Sequence, residues 1–277
     1  MASITPSSDI IAVRLQKLGC MGTTTQISPA IKKPLQFLPD GGIGDFLLNK
    51  FVGISYVYSN KKPLISKASL EWATFGNRTL RKIVENDNNI WSLHNAFVDY
   101  QIRGKSGIFF GSVNPDAAEV AIKHEVGHIK FLALEAYKIP KAFEKVAEIT
   151  DYESFTETNI SEFDFAASYY SIAQLGLGSY GEPVDAFWDF RILSIIKCAI
   201  KPGALVYLGI PIGIDGIVFN EYRIYGSIRL AMLIAGFDWI ATYSPEEDGN
   251  IEVTGEFLYS IPKFTYKIRT IVLKKRI

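Results

Sequence analysis

The sequence predicts an α/β fold: a Rossmann-like, mostly parallel sheet of about seven strands, closed by an antiparallel hairpin and preceded by an N-terminal extension. Three observations predict it. From Lys105 onward short β-rich runs alternate with helical patterns, and the last two β-rich runs have no helical pattern between them. In addition, 48% of the 277 residues are hydrophobic, enough for one large core or a core with an appendage. Residues 1–100 read as the extension and residues 101–277 as the Rossmann domain.

In the extension, "FVGISYVYS" (Phe51 to Ser59) is a short apolar run and "DGGIGD" (Asp40 to Asp45) a Gly-rich turn, while "SLEWATFGNRTLRKIVEN" carries a helical pattern. These do not assemble into a known unit. The domain's first strand is "SGIFFGS" (Ser106 to Ser112), and the helix after it has Pro115 near its start and Gly127 past its end. The second strand is "HIKFLALE" (His128 to Glu135). A helical segment near "IPKAFEKV" leads to a third strand at "AEIT", and "FDFAASYY" (Phe163 to Tyr170) is the fourth.

Asp185 can cap the next helix, whose Phe190, Leu193, Ile196 and Ile200 share one face until "KPG" (Lys201 to Gly203) stops it. Strand five is "ALVYLGI" (Ala204 to Ile210). A helix from Tyr225 to Ala235, ended by Gly236, leads to "FDWIATYS" and "KFTYKIRTIVLKK", the closing hairpin. Five alternations and a hairpin form the order expected of the class I S-adenosylmethionine-dependent methyltransferase fold. A dinucleotide dehydrogenase more often continues to a sixth parallel strand.

Composition excludes several partners. Lys plus Arg and Asp plus Glu both number 29, so there is no basic field to hold nucleic acid or an anionic membrane surface. The two cysteines, Cys20 and Cys198, make neither a disulfide framework nor a metal-type spacing, and a reducing compartment is the simplest reading. "MASITPSSD" lacks the pattern of a cleavable signal, and the most apolar run, "GALVYLGIPIGIDGIV", is broken by Pro211, four glycines and Asp215. The expectation is a cytoplasmic protein without a membrane span.

Ligands of open parallel sheets lie beyond the strands' carboxyl ends, where the strand order reverses. The loop after strand one, "GSVNPDAAE" (Gly111 to Glu119), is therefore the nucleotide candidate. Gly111 permits a tight turn, Ser112 follows it, and the helix N-terminus offers unpaired N–H groups. Glu135 ends strand two 24 residues after Gly111, where an acid accepts hydrogen bonds from ribose hydroxyls; a solvated surface acid is the alternative. Asp151, after strand three, is the candidate adenine contact. "GLGSYG" (Gly176 to Gly181) fits G-x-G-x-x-G, yet it follows strand four, and Pro183 delays the helix to Asp185. It reads as a loop on the rim of a substrate pocket.

The run from Phe163 to Ser244 contains "SIAQLGLGSYGEPVD", "IKPGALVYLGIPIGID" and "NEYRIYGSIRLAMLIAGFDW". It resembles domain-of-unknown-function family 268, rich in nematode members, with the patterns S-I-E-H-x-G-L-G-R-Y-G-D-P, L-K-x-G-G-x-L-x-L-G-x-P-x-G-x-D and N-x-H-R-x-Y-G. Upstream, "GKSGIFFGSVNPDAAEV" and "LEAY" resemble its G-S-x-x-P-W-x-E and T-x-E-Y elements. The resemblance implies a methyltransferase-like Rossmann fold and supplies no substrate. Where the pattern has Glu-His this chain has Ala173 and Gln174; Ser179 replaces Arg, Tyr222 replaces His and Asp116 replaces Trp. The obvious proton-transfer groups are missing, which argues against general acid–base chemistry.

Two functions follow. One is methyl transfer from S-adenosylmethionine held at Gly111, Ser112, Glu135 and Asp151, a reaction that runs largely on positioning. Its small-molecule or glycan-like substrate would meet Tyr180, Asp185, Asp215, Asn220 and Arg223. The other is a non-catalytic binding or scaffold protein that keeps the fold. A hydrolase fits poorly, because His94, His124 and His128 all fall away from the ligand edge and "GLGSYG" lacks the glycine spacing of a nucleophile elbow.

Overall fold

The alternation downstream of Lys105 folds into a seven-stranded sheet. The computed structural model describes residues 38, 43–48, 50–57, 79–111, 114–133, 144–151, 155, 161–179 and 184–276. Its first part holds α1 (Ile43–Leu47), β1 (Gly53–Tyr56), α2 (Leu80–Asn86) and α3 (Trp91–Asp99). Then come β2 (Ser106–Gly111), α4 (Pro115–Lys123), β3 (His128–Ala133), β4 (Ala147–Asp151), β5 (Phe163–Tyr169) and the short α5 (Ser171–Gln174). The remainder runs α6 (Trp188–Ala199), β6 (Ile200–Ile212), β7 (Gly216–Phe219), β8 (Tyr222–Ile224), α7 (Ser227–Leu233), β9 (Phe237–Tyr243), α8 (Gly255–Ser260) and β10 (Lys267–Lys275).

The sheet order is β4-β3-β2-β5-β6-β10-β9. Strands β2 to β6 pair in parallel, and β10 runs antiparallel to both β6 and β9. This is the expected parallel sheet with its closing hairpin, and the order reverses between β2 and β5. Side-chain alternation builds a layer on each face. Ile108 and Phe110 of β2 join Leu208, Ile271, Ile192 and Ile196 beneath α6, while Phe109 joins Phe165, Tyr207, Val272, Leu93 and Phe97 beneath α3 and α4.

Helix α3 is tied to that second face by polar bonds. The Tyr207 hydroxyl donates to the Tyr100 carbonyl at 2.6 Å, Tyr243 donates to Asp99 at 2.6 Å, and the Ser92 and Thr270 hydroxyls lie 2.8 Å apart. A second, three-stranded sheet has the order β1-β7-β8, with β1 parallel to β7. It packs Phe46, Val52, Ile217 and Phe219 against Leu177 of the "GLGSYG" loop.

Several boundaries differ from the sequence expectation. Helix α6 starts at Trp188, because Asp185 accepts a hydrogen bond from Phe187 N–H at 2.9 Å in a local turn instead of capping the helix. Ile200, expected on that helix, opens β6. Helix α7 is shorter than Tyr225 to Ala235, and the hairpin connection contains α8, capped by Thr254. Of "IPKAFEKV", residues 144–146 form a turn and the rest lies outside the described residues. Cys198 is disulfide-bonded, which removes the cysteine argument for a reducing compartment; Cys20 lies outside the described residues. Among the described residues, no helix is long and apolar enough to cross a membrane.

Candidate functional site at the carboxyl edge of the sheet

The strand order reverses between β2 and β5, and Gly111 ends β2 at the carboxyl edge there. Its φ is +101°, and a Cβ there would lie 2.5 Å from Ser171 Cβ, so glycine alone lets the turn after β5 close over the end of β2. Helix α4 then starts cleanly: Asn114 Oδ1 accepts from Ala117 N–H at 3.0 Å, and Pro115 occupies the first turn. Asp116 also lies in that turn, its charge favourable to the helix dipole. Asp151 ends β4 at the same edge. Ser112, Glu135, Tyr180 and the side chain of Asp151 lie outside the described residues.

At the same edge β5 ends in Tyr169, and Tyr170 follows it. Tyr170 is left-handed at φ 62°, which turns the chain into α5, where Ser168 Oγ accepts from Ile172 N–H at 3.2 Å. The Tyr170 and Tyr266 hydroxyls lie 3.0 Å apart, and Tyr222 packs edge-on to Tyr266 with centroids 4.8 Å apart. Burial, then the Tyr266 hydrogen bond, pushes the Tyr170 phenol well up. Asp87, between α2 and α3, caps its own turn through Asn89 N–H at 3.0 Å. Burial pushes its carboxyl up, and the charge of Asp116 adds to that rise against the Asn89 and Tyr169 hydrogen bonds. Sequence reasoning missed Asp87, Tyr169, Tyr170 and Tyr266, which no motif links.

The expected substrate contacts lie in a buried network on one side of this edge. Asp215 accepts hydrogen bonds from Gly226, Ile228 and Arg229 N–H, each at 2.9 Å, and so starts α7. Arg223 donates to the Leu175 carbonyl and, at 2.8 Å, to the Asp185 carbonyl. Asp189 takes Arg229 in a fork at 2.8 and 3.1 Å, accepts from the Tyr225 hydroxyl at 3.0 Å and lies 3.9 Å from Arg223. Asp185 pairs with Arg191 at 2.9 Å, and Asn220 accepts the Ser179 hydroxyl on its carbonyl. Asp185, Asp215, Asn220 and Arg223 are all buried. Arg223 and Ser179 thus fasten the "GLGSYG" loop to the β7–β8 hairpin, and Leu177 is buried beneath it.

The histidines are elsewhere. His94 Nδ1 and His124 Nε2 share a hydrogen bond at 2.8 Å between α3 and the end of α4, and His128 begins β3 at the amino edge.

A family model described as "Caenorhabditis protein of unknown function, DUF268" matches residues 104–276. The chain belongs to the DUF268 family. No curated protein matches it. Among solved structures, this DUF268 chain is similar to the Burkholderia thailandensis 1,6-didemethyltoxoflavin-N1-methyltransferase with bound 1,6-didemethyltoxoflavin and S-adenosylhomocysteine, at 12% identity and a TM-score of 0.47 over 93% of this chain and 99% of that one. It is also similar to the N-methyltransferase NodS of Bradyrhizobium japonicum WM9 in complex with S-adenosylhomocysteine, at 9% identity and a TM-score of 0.45 over 76% and 97% of the two chains. A Mesorhizobium loti S-adenosylmethionine-dependent methyltransferase is similar at 11% identity and a TM-score of 0.44 over 67% and 97%. The methyltransferase-like architecture of the DUF268 chain rests on its own strand order.

Proposed function

We propose that the chain binds S-adenosylmethionine at the carboxyl edge between β2 and β5 and transfers its methyl group to a small molecule. The observation that carries this reading is the placement of acids at that edge. A dinucleotide would bring its pyrophosphate to the N-terminus of α4, where Asp116 sits in the first turn and Asp87 stands close enough to feel its charge. S-adenosylmethionine has no phosphate and carries positive sulfonium and ammonium groups, so the same acids favour it.

Gly111 would form the floor beneath the ligand, Ser112 would line the loop, Glu135 would accept from the ribose hydroxyls and Asp151 would approach the adenine. The bound sulfonium supplies an already activated methyl group. The protein's task is then orientation. Asp215, Arg223 and Asp189 hold the β7–β8 hairpin and the "GLGSYG" loop as one wall, and Tyr180 of that loop would meet the acceptor. In this reading Asp185, Asn220 and Arg223 position the wall.

Calorimetric titration tests it. S-adenosylmethionine and S-adenosylhomocysteine should bind saturably, and Glu135→Ala should weaken both about tenfold, the worth of one charge-assisted hydrogen bond. No heat with either ligand at millimolar concentration overturns the reading and leaves a scaffold that has kept the fold.

A further inference from the structure

We propose that the cavity between α6, α7 and the adjoining ends of β9 and β10 binds a carboxylate carried on an alkyl chain, with the carboxylate at Lys197 and Lys275 and the chain along Phe190, Leu193, Met232 and Leu233. Lys275 pairs in register with Phe237 at the start of β9, so the cavity opens at the amino edge of the sheet, opposite Gly111. The site is therefore independent of the methyltransferase reading.

The cavity has a volume of about 410 Å³, within the range of small-molecule pockets. One wall is a stripe of α6: Phe190, Leu193 and Lys197 are spaced three and four residues apart and share a face. The other wall is the end of α7, with Met232 and Leu233. Leu193 and Leu233 are buried, whereas Met232 leaves 44% of its surface exposed at the cavity. Apolar surface of this kind gains from contact with a hydrocarbon chain.

Two cations share this space. Lys197 lies in the last turn of α6, where its charge answers the helix dipole. Its ammonium stands 5.5 Å from the centroid of the Phe237 ring and fills the space that a Cβ on Gly236 would take. Lys275 donates to the Ile200 carbonyl, just past the end of the same helix, at 2.7 Å, and its remaining N–H donors are available to a ligand. Among the described residues neither lysine is in an ion pair, and the carboxylate of Asp238, next to Phe237 in the chain, is bound to Arg276 at 2.7 Å.

The dipole of α6 accounts for one cation here and not for two. Burial, then the charge of Lys197, pushes the pKa of the Lys275 ammonium down. An anion between the two lysines converts their repulsion into attraction. The apolar walls select an anion with a tail over a hydrated inorganic ion.

The test is calorimetric titration with octanoate, 1-octanol and acetate on wild-type protein, Lys197→Met, Lys275→Met and Met232→Ser, each variant first checked by thermal melting. Octanoate should bind saturably, 1-octanol about tenfold more weakly, and acetate without measurable heat. Each lysine variant should lose about tenfold in octanoate affinity, the worth of one charge-assisted hydrogen bond. Met232→Ser should lose about threefold through apolar contact alone, and its exposed position keeps the test open where a lysine variant melts early. Equal binding of octanoate and 1-octanol, unchanged affinity in the variants, or no saturable octanoate binding at millimolar concentration overturns the site. Acetate binding as tightly as octanoate overturns the role of the tail. Cys198 on the same wall is disulfide-bonded, and octanoate binding that appears only after reduction means that tethered chain fills the cavity, which overturns the site as well. Titration with S-adenosylmethionine in the same series reads the other edge separately, so either reading fails without the other.

Discussion

Replacing Asp189 by Asn should destabilise the protein severely while leaving its volume unchanged. Asp189, Arg223 and Arg229 are all fully buried, so the carboxylate is the nearest negative charge to two guanidinium groups that water cannot reach. Burial alone would raise its pKa; the charges of Arg229 and Arg223, with the hydrogen bonds from Arg229 and Tyr225, outweigh burial and hold it below the usual carboxylate range. The amide keeps the shape and one acceptor but removes the charge. Breaking a buried pair on one side costs about 3–5 kcal/mol. For a domain of this size that lowers Tm by roughly 6–20 °C. Urea and thermal denaturation followed by circular dichroism measure it. The sign with pH follows from the depressed folded pKa: the stabilisation is present above the unfolded value of 3.8 and is lost as pH falls through the folded value. A variant within about 1 kcal/mol of wild type would refute the claim that this network fastens α6, α7 and β8 together.

Other substitutions probe separate parts of the account. Asp215→Ala removes three hydrogen bonds from the start of α7 and should cost about 2 kcal/mol by urea denaturation, with Asp215→Asn costing less. Gly209→Ala places a Cβ 2.3 Å from Tyr169 Cδ2; the overpacking should cost about 1–3 kcal/mol and alter the near-ultraviolet circular dichroism of the tyrosines. Burial, then the charge of His94, pushes His124 down to about 4 from 6.5. Its neutral form therefore stabilises fully above pH 6.5, and that contribution is lost as pH falls toward about 4. Urea midpoints compared across this window should drop in wild type and flatten in His124→Gln.

The sequence made the main sheet legible because its strands are short apolar runs separated by capped helices. Gly111 and Pro115 marked the first turn, and the missing helical pattern before β10 exposed the hairpin. The second sheet left no such trace. Its strands have three or four residues, and β1 meets β7 across more than half the chain, a pairing that periodicity does not report. Asp185 looked like a helix cap because capping and a local two-residue turn use the same side chain. Arg223 and Asp215 looked like substrate contacts because polar residues in a Gly-rich loop carry no sign of their burial. The tyrosines of the carboxyl edge were invisible for the opposite reason: each looks like core, and only the fold brings the Tyr170 and Tyr266 hydroxyls within 3.0 Å.

The central claim is that the ligand lies where the strand order reverses, and hydrogen–deuterium exchange with and without S-adenosylmethionine tests it most directly. The account predicts slower exchange over residues 106–119 and 165–172 with no change over residues 227–243. Protection confined to residues 227–243, or none anywhere at millimolar ligand, would contradict it.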